Sequence, residues 1–219
     1  MIRINIKSLR NRLVSTLGDN GMCLVHTGSR VRGESRANSD YDFTLFVSKV
    51  DEAVLDSIND ALTDYPNVSV YILDKQDLMN FPSAMYLQFV YSKIVYGTFS
   101  FPKPTNEDIV SYVNMMKREE IDVFRHYLTR PHRTDKLTSR IALSLKHAYI
   151  VLTYIAYKDM HELPKTIAET IGFYKNRNAK EAVMVLQTLA NLSSQADKIA
   201  ENPRKYLHLL EQFWRTLEP

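Results

Sequence analysis

Asp40 and Asp42, separated by one residue, and Gly28-Ser29 a short way upstream are the positions where this sequence could do chemistry. On an extended strand, residues two apart point to the same face, with Cα atoms about 6.5–7 Å apart. Two carboxylates so placed repel unless a cation lies between them. A hard divalent ion, Mg²⁺ or Mn²⁺, resolves that conflict and takes oxygen ligands, which makes Asp40 and Asp42 candidate metal ligands. Gly28 lets the backbone approach a ligand closely, and the residues after it can open a helix whose free N–H groups face an anion. Ser29 adds a hydroxyl donor, and Arg30, Arg32 and Arg36 lie close by in sequence. A phosphate cradle facing a carboxylate-held metal is apparatus for phosphoryl or nucleotidyl transfer. Asp-x-Asp taken alone also suits a loop-to-strand junction with solvated acids.

Elements that must position these residues follow from periodicity. Met22 to Thr27 reads as an apolar strand closed by Gly28, and Tyr41 to Val47 as a second strand with period-two alternation. Tyr41, Phe43, Leu45 and Val47 then share one face, and Asp40, Asp42, Thr44 and Phe46 the other. Helices are predicted over Ser8–Leu17 and Asp51–Asp64, a third strand over Val68–Leu73, and a short apolar run over Lys93–Tyr96 that stops at Gly97. The segment from Phe99, with two prolines, reads as a linker or domain edge. Beyond it the pattern is helical throughout. A helix starts at Thr105 with Asp108 as capping-box acid and heads towards Leu128, where Pro131 ends it. Further helices are predicted over Leu137–Tyr157, from Pro164 to Tyr174, and over Ala179–Asn191 and Pro203–Leu217. The expected organisation is therefore an α+β domain over residues 1–100, followed by an all-α bundle over 101–219.

The joint pattern Gly28-Ser29, Arg32-Gly33 and Ser39-Asp40-x-Asp42 resembles the signature of the DNA polymerase beta-like nucleotidyltransferase superfamily, in particular its minimal bacterial and archaeal members. The resemblance covers roughly residues 8–97. It implies a small mixed sheet flanked by helices, two metal ions, and transfer of NMP from an NTP with release of pyrophosphate. Gly28 and Ser29 match the triphosphate-binding pair, with Arg30 and Arg32 beside it, and Asp40 and Asp42 match two metal ligands. Ile94-Val95-Tyr96-Gly97 resembles a structural Leu-Tyr-Gly that often closes such domains.

One departure stands in the third strand. The family commonly carries a carboxylate there that activates the acceptor hydroxyl; the matching position here is Ser69. A hydroxyl is a poor general base and a weak metal ligand beside a carboxylate. Asp74, at an odd offset from Ser69, is expected on the opposite face and reads as the cap of a helix over Lys75–Met79 rather than a substitute base.

The helical half resembles the partner domains of minimal nucleotidyltransferases, substrate-binding-like or HEPN-type bundles that are sometimes encoded separately and paired as toxin and antitoxin. Its stretch Arg125 to His147 holds six Lys or Arg against one acid and is a candidate contact for RNA or an acidic protein, with a solvated basic face as the plainer account. Arg140 and His147 lie nearly two helical turns apart and share a face, at the edge of the Arg/His spacing of HEPN ribonucleases. The asparagine usual after that arginine is Ile141 here.

Composition sets the bounds. The chain has 219 residues, 45% hydrophobic and 24% charged, with a net charge of +3 that leaves room for an acidic ligand without demanding nucleic acid. One cysteine, Cys23, excludes an intrachain disulfide and reads as a strand residue in a cytoplasmic protein. The longest apolar run, Ala148 to Tyr157, is about half the length of a membrane span. No Cys/His cluster suits zinc, His26 reads as a packed strand residue, and Trp214 as core or interface. The leading expectation is a metal-dependent nucleotidyltransferase whose helical domain presents a hydroxyl acceptor: an RNA end, a protein or a small molecule. The rivals are a degenerate NTP-binding, antitoxin-like partner protein and an RNase-type toxin. The sequence leaves the oligomeric state open.

Overall fold

A computed structural model of the chain describes residues 4–35, 39–129 and 137–219. The chain divides into two compact units, Met1–Lys103 and Pro104–Pro219. Arg36 and Pro131, named above, lie outside the described residues, as does the middle of the Arg125–His147 stretch.

The first unit runs α1 (Ile6–Leu17), β1 (Gly21–Thr27), α2 (Gly28–Arg32), β2 (Tyr41–Val47), α3 (Glu52–Leu62), β3 (Val68–Leu73), α4 (Lys75–Asn80) and β4 (Lys93–Gly97), with a 3₁₀ segment Ser83–Phe89 before the last strand. The four strands form one mixed sheet in the order β3-β2-β1-β4. β1 is antiparallel to β2 and β4, whereas β2 is parallel to β3 across the α3 crossover. Caps fix where the helices begin. Asn5 accepts from the Ser8 amide at 3.1 Å, and Asp51 accepts from the Val54 amide at 3.1 Å.

One face of the sheet carries Leu24, Phe43 and Leu45 and buries them against Leu9, Leu13 and Leu17 of α1 and Ile58 and Ala61 of α3. The other face is not polar along its length, as strand alternation alone would suggest. Beyond Asp42, Thr44 and Phe46 are buried there. Phe46 stacks on Phe99 at 4.4 Å and Phe89 on Phe101 at 4.5 Å, between ring centroids. The proline-bearing segment read as a linker thus begins by returning two phenylalanines to the sheet. Cys23 sits in this second core, and burial pushes its thiol up to about 11, the behaviour of an inert packed side chain.

The second unit is helical: α5 (Asn106–Thr129), α6 (Leu137–Met160), α7 (Ile167–Asn176), α8 (Lys180–Ala190), α9 (Leu192–Glu201) and α10 (Pro203–Thr216). Thr105 and Asp108 form the anticipated cap of α5, with the Asp108 amide donating to Thr105 Oγ1 and the Thr105 amide to Asp108 Oδ2. α7 starts later than Pro164 implied, because Thr166 takes the cap and accepts from the Glu169 amide. α9 was not apparent from periodicity. Trp214 is a core residue, wholly buried, with its indole Nε1 donating to Ser144 Oγ at 3.1 Å. Among the described residues no helix is long and apolar enough to cross a membrane.

Candidate functional site

β1 ends at Thr27 and the chain turns at once into α2 through Gly28, whose φ is +78°. That left-handed conformation is open to glycine at little cost and to other residues only with strain. A neighbour imposes the same choice. A Cβ placed on Gly28 would lie 2.1 Å from Asp42 Oδ2 and 2.9 Å from Asp42 Cβ. The carboxylate of β2 is therefore seated directly on the turn that leaves β1. Antiparallel pairing produces this contact, because Thr27 and Asp42 are register partners and Thr27 Oγ1 donates to the Asp42 carbonyl at 3.2 Å.

The second glycine of the motif has a different duty. Gly33, at φ +77°, is the left-handed cap of α2, and its amide donates back to the Ser29 carbonyl. The short helix is thus bounded by two glycines, with Ser29 in its first turn.

On the other side of β2, the parallel register sets Asp42 beside Ser69. Register partners in a parallel pair point to the same face, so Ser69 holds the place adjoining the Asp42 carboxylate. It is exposed on β3, at the edge of the sheet. Asp74 does not replace it. Its side chain caps α4, accepting from the Gln76 amide at 2.8 Å and the Asp77 amide at 2.9 Å, while Asp77 returns the bond to the Asp74 amide. These amides, with that of Val50, hold the Asp74 carboxyl below the usual carboxylate range.

Asp40 immediately precedes β2 and is exposed. Arg30 and Arg32, expected beside the phosphates, both have protein partners. Arg30 Nε donates to the Ser39 carbonyl at 3.0 Å and to the Asp40 carbonyl at 3.1 Å, Nη2 also reaches the Ser39 carbonyl, and the guanidinium lies 4.0 Å over the Tyr41 ring. Arg32 pairs with Glu34 at 3.0 Å. Beneath Tyr41, on the core face, His26 stacks on Phe43 at 4.7 Å. Its Nε2 is buried without a hydrogen-bond partner, and burial, with Arg30 and Lys93 nearby, lowers its pKa. His26 is a packed strand residue.

The donor set fits a hard divalent cation. Asp40 and Asp42 offer carboxylate oxygens at the entry of one strand, and Gly28 leaves the ground beside Asp42 clear of side chain. No group of three or more His, Cys, Asp or Glu suited to a metal occurs among the described residues. Mg²⁺ is commonly held by one or two carboxylates together with water and substrate phosphates, which matches a two-carboxylate site better than a closed protein cage.

A separate polar cluster lies in the helical unit. Glu120 of α5, only 2% exposed, receives Arg140 Nη2 at 2.5 Å and meets His147 Nδ1 at 2.7 Å, both on Oε1. Burial works to raise the Glu120 pKa, but hydrogen bonds from His147 and Ser144 and the charge of Arg140 outweigh it and hold the carboxyl below its ordinary value. Arg140 and His147 do share a helix face, as their spacing requires, and that face is turned onto a carboxylate. Arg140 is therefore withdrawn from the basic stretch, and Arg125 is paired with Asp122 at 3.5 Å. Sequence spacing located Arg140 and His147; the partner on the preceding helix carried no signal.

No protein-family model matches the chain, and no curated protein matches it in sequence. Solved structures do. Spectinomycin adenyltransferase AAD(9) from Enterococcus faecialis, crystallised with ATP and spectinomycin, superposes with a TM-score of 0.55 at 16% identity, over 96% of this chain and 98% of that one. A toxin-antitoxin structure with AMP-PNP aligns over 57% of this chain and 99% of its own at 16% identity, with a TM-score of 0.34. The chain has an α+β fold of the nucleotidyltransferase type, a small mixed sheet with helices followed by a helical bundle, shared with AAD(9).

Proposed function

We propose that this protein transfers a nucleoside monophosphate from an NTP, ATP in the first instance, to a hydroxyl acceptor. The observation that carries the reading is the seating of the Asp42 carboxylate on the Gly28 turn, with Asp40 just before it on the same chain. In this reading Asp40 and Asp42 hold Mg²⁺ or Mn²⁺, which when bound supplies Lewis-acid stabilisation of charge on the phosphates. Gly28 and Ser29 supply close backbone approach and a hydroxyl donor to the triphosphate. The acceptor oxygen bonds to the α-phosphorus and the bond to the β-phosphate bridge breaks, so that pyrophosphate leaves with the electron pair. Ser69 contributes no carboxylate to take the acceptor proton, which passes to solvent or to phosphate.

The likeness to AAD(9), crystallised with spectinomycin, favours a small hydroxylated acceptor over a macromolecular one. A binding protein without turnover is the reading that Ser69 favours. Calorimetric titration with ATP in the presence of Mg²⁺, and again in EDTA, tests the core of the proposal. Affinity that falls in EDTA and falls in Asp42→Asn supports it; equal affinity in wild type and mutant removes Asp42 from the site.

A further inference from the structure

We propose that Arg30 is a positioning residue for Asp40 rather than a ligand of phosphate, an inference that rests on the assignment of Asp40 and Asp42 to a metal. The guanidinium reaches the peptide groups on both sides of the Asp40 α-carbon. Its Nε and Nη2 meet the Ser39 carbonyl, which belongs to the peptide plane entering Asp40, and Nε also meets the Asp40 carbonyl, which belongs to the plane leaving it. That second plane is tied from its other end too, because the Tyr41 amide donates to the Asn67 carbonyl at 2.8 Å. With both planes fixed, the two soft backbone angles of Asp40 are fixed, and with them the direction of its Cα–Cβ bond.

The clamp is itself anchored. Tyr41 is buried in the sheet, and its ring lies under the guanidinium at 4.0 Å, so the planar fork is held by stacking as well as by hydrogen bonds. Asp40 is exposed and outside the sheet ladder, so nothing in the strand itself would orient it so firmly. Arg30 thereby sets a metal carboxylate without touching it. Lysine cannot copy the device, since an ammonium is a point donor with no planar fork to span two carbonyls.

The test separates the two roles of Arg30 by binding rather than turnover. Mn²⁺ titrations followed by electron paramagnetic resonance, with and without α,β-methylene-ATP, are compared for wild type, Arg30→Ala and Arg30→Lys. Binding of the same analogue in EDTA is measured in parallel, with amide hydrogen exchange over residues 39–41. Loss of a group that orients a metal ligand typically weakens the metal about 10–100-fold. Arg30→Ala should fall in that range for Mn²⁺, exchange faster at 39–41, and bind the analogue in EDTA as wild type does; Arg30→Lys should lie between. A matching loss of metal-free analogue binding makes Arg30 a phosphate ligand, and unchanged Mn²⁺ affinity removes the positioning role; either overturns the inference. If Arg30→Ala does not fold, Arg30→Lys decides by the same two readouts. Wild type that binds neither Mn²⁺ nor the analogue fails the proposed function itself, and this inference with it.

Discussion

Asp42 occupies the space that a side chain on Gly28 would need: a Cβ there would stand 2.1 Å from Oδ2. The turn leaving one strand and the carboxylate of the next are therefore a single structural unit. Substituting Gly28→Ala meets two obstacles, the carboxylate and a φ of +78°. Left-handed strain alone costs about 1–2 kcal/mol. The variant should melt lower yet still fold, and its affinity for ATP with Mg²⁺ should fall at least tenfold, about 1.4 kcal/mol. Thermal melts and titration on one preparation check both; a folded variant with wild-type ATP affinity would show that Gly28 serves the turn alone.

Ser69 adjoins Asp42 in register, so under the proposed function an acid installed there would take the acceptor proton. Ser69→Asp should leave ATP affinity similar and raise single-turnover transfer, since general-base assistance is worth about 10²–10⁴ in rate. Asp74→Ala should leave transfer untouched while fraying α4, because that carboxylate is committed to its cap. If transfer is robust in wild type and lost in Asp74→Ala, the base has been misplaced.

Glu120 links α5 to α6 through Arg140 and His147. Because its folded pKa lies below the unfolded one, the stability it contributes is present above the ordinary carboxylate value and lost as pH falls through the folded value. Removing one partner of a buried pair typically costs about 3–5 kcal/mol. Glu120→Gln should approach that loss at neutral pH and match wild type in strong acid. Urea unfolding at a series of pH values measures it, and a pH-independent difference would contradict the assignment.

His26 titrates in the opposite sense to a paired histidine. Burial, with Arg30 and Lys93, lowers its folded pKa, so the folded state favours the neutral ring. Stability should decline as pH drops below the ordinary imidazole value of about 6.5 and level off once the folded value is passed. His26→Phe keeps the stack on Phe43 and removes the buried, unpartnered Nε2. It should be at least as stable as wild type at neutral pH and lack this acid-side decline; a variant that keeps the decline places the titrating group elsewhere.

Much of the sheet was legible because strands declare themselves by alternation. Tyr41–Val47 and Val68–Leu73 are β2 and β3 as anticipated, and Asp74 is the cap of the helix that follows it, as expected. What remained hidden depends on contacts distant in sequence. Arg30 and Arg32 look alike beside a glycine-serine turn, and the return of the chain at Ser39 distinguishes the clamp made by Arg30 from the Arg32 pair with Glu34. Phe99 and Phe101 lie beside prolines and read as linker, yet they close the second face of the sheet over Phe46. Glu120 is one acid among several on α5, and nothing local marks it as the partner of Arg140 and His147.

The central claim is that Asp42 serves transfer of the AMP group of ATP. Incubating wild type and Asp42→Asn with ATP labelled at the α-phosphate, Mg²⁺ and separate acceptors (spectinomycin, total RNA and lysate protein) measures it most directly. The account predicts label joined to one acceptor with equimolar pyrophosphate release in wild type, and neither in the folded mutant. Label joined to an acceptor at equal rates by wild type and Asp42→Asn, or release of orthophosphate in place of pyrophosphate, would contradict it.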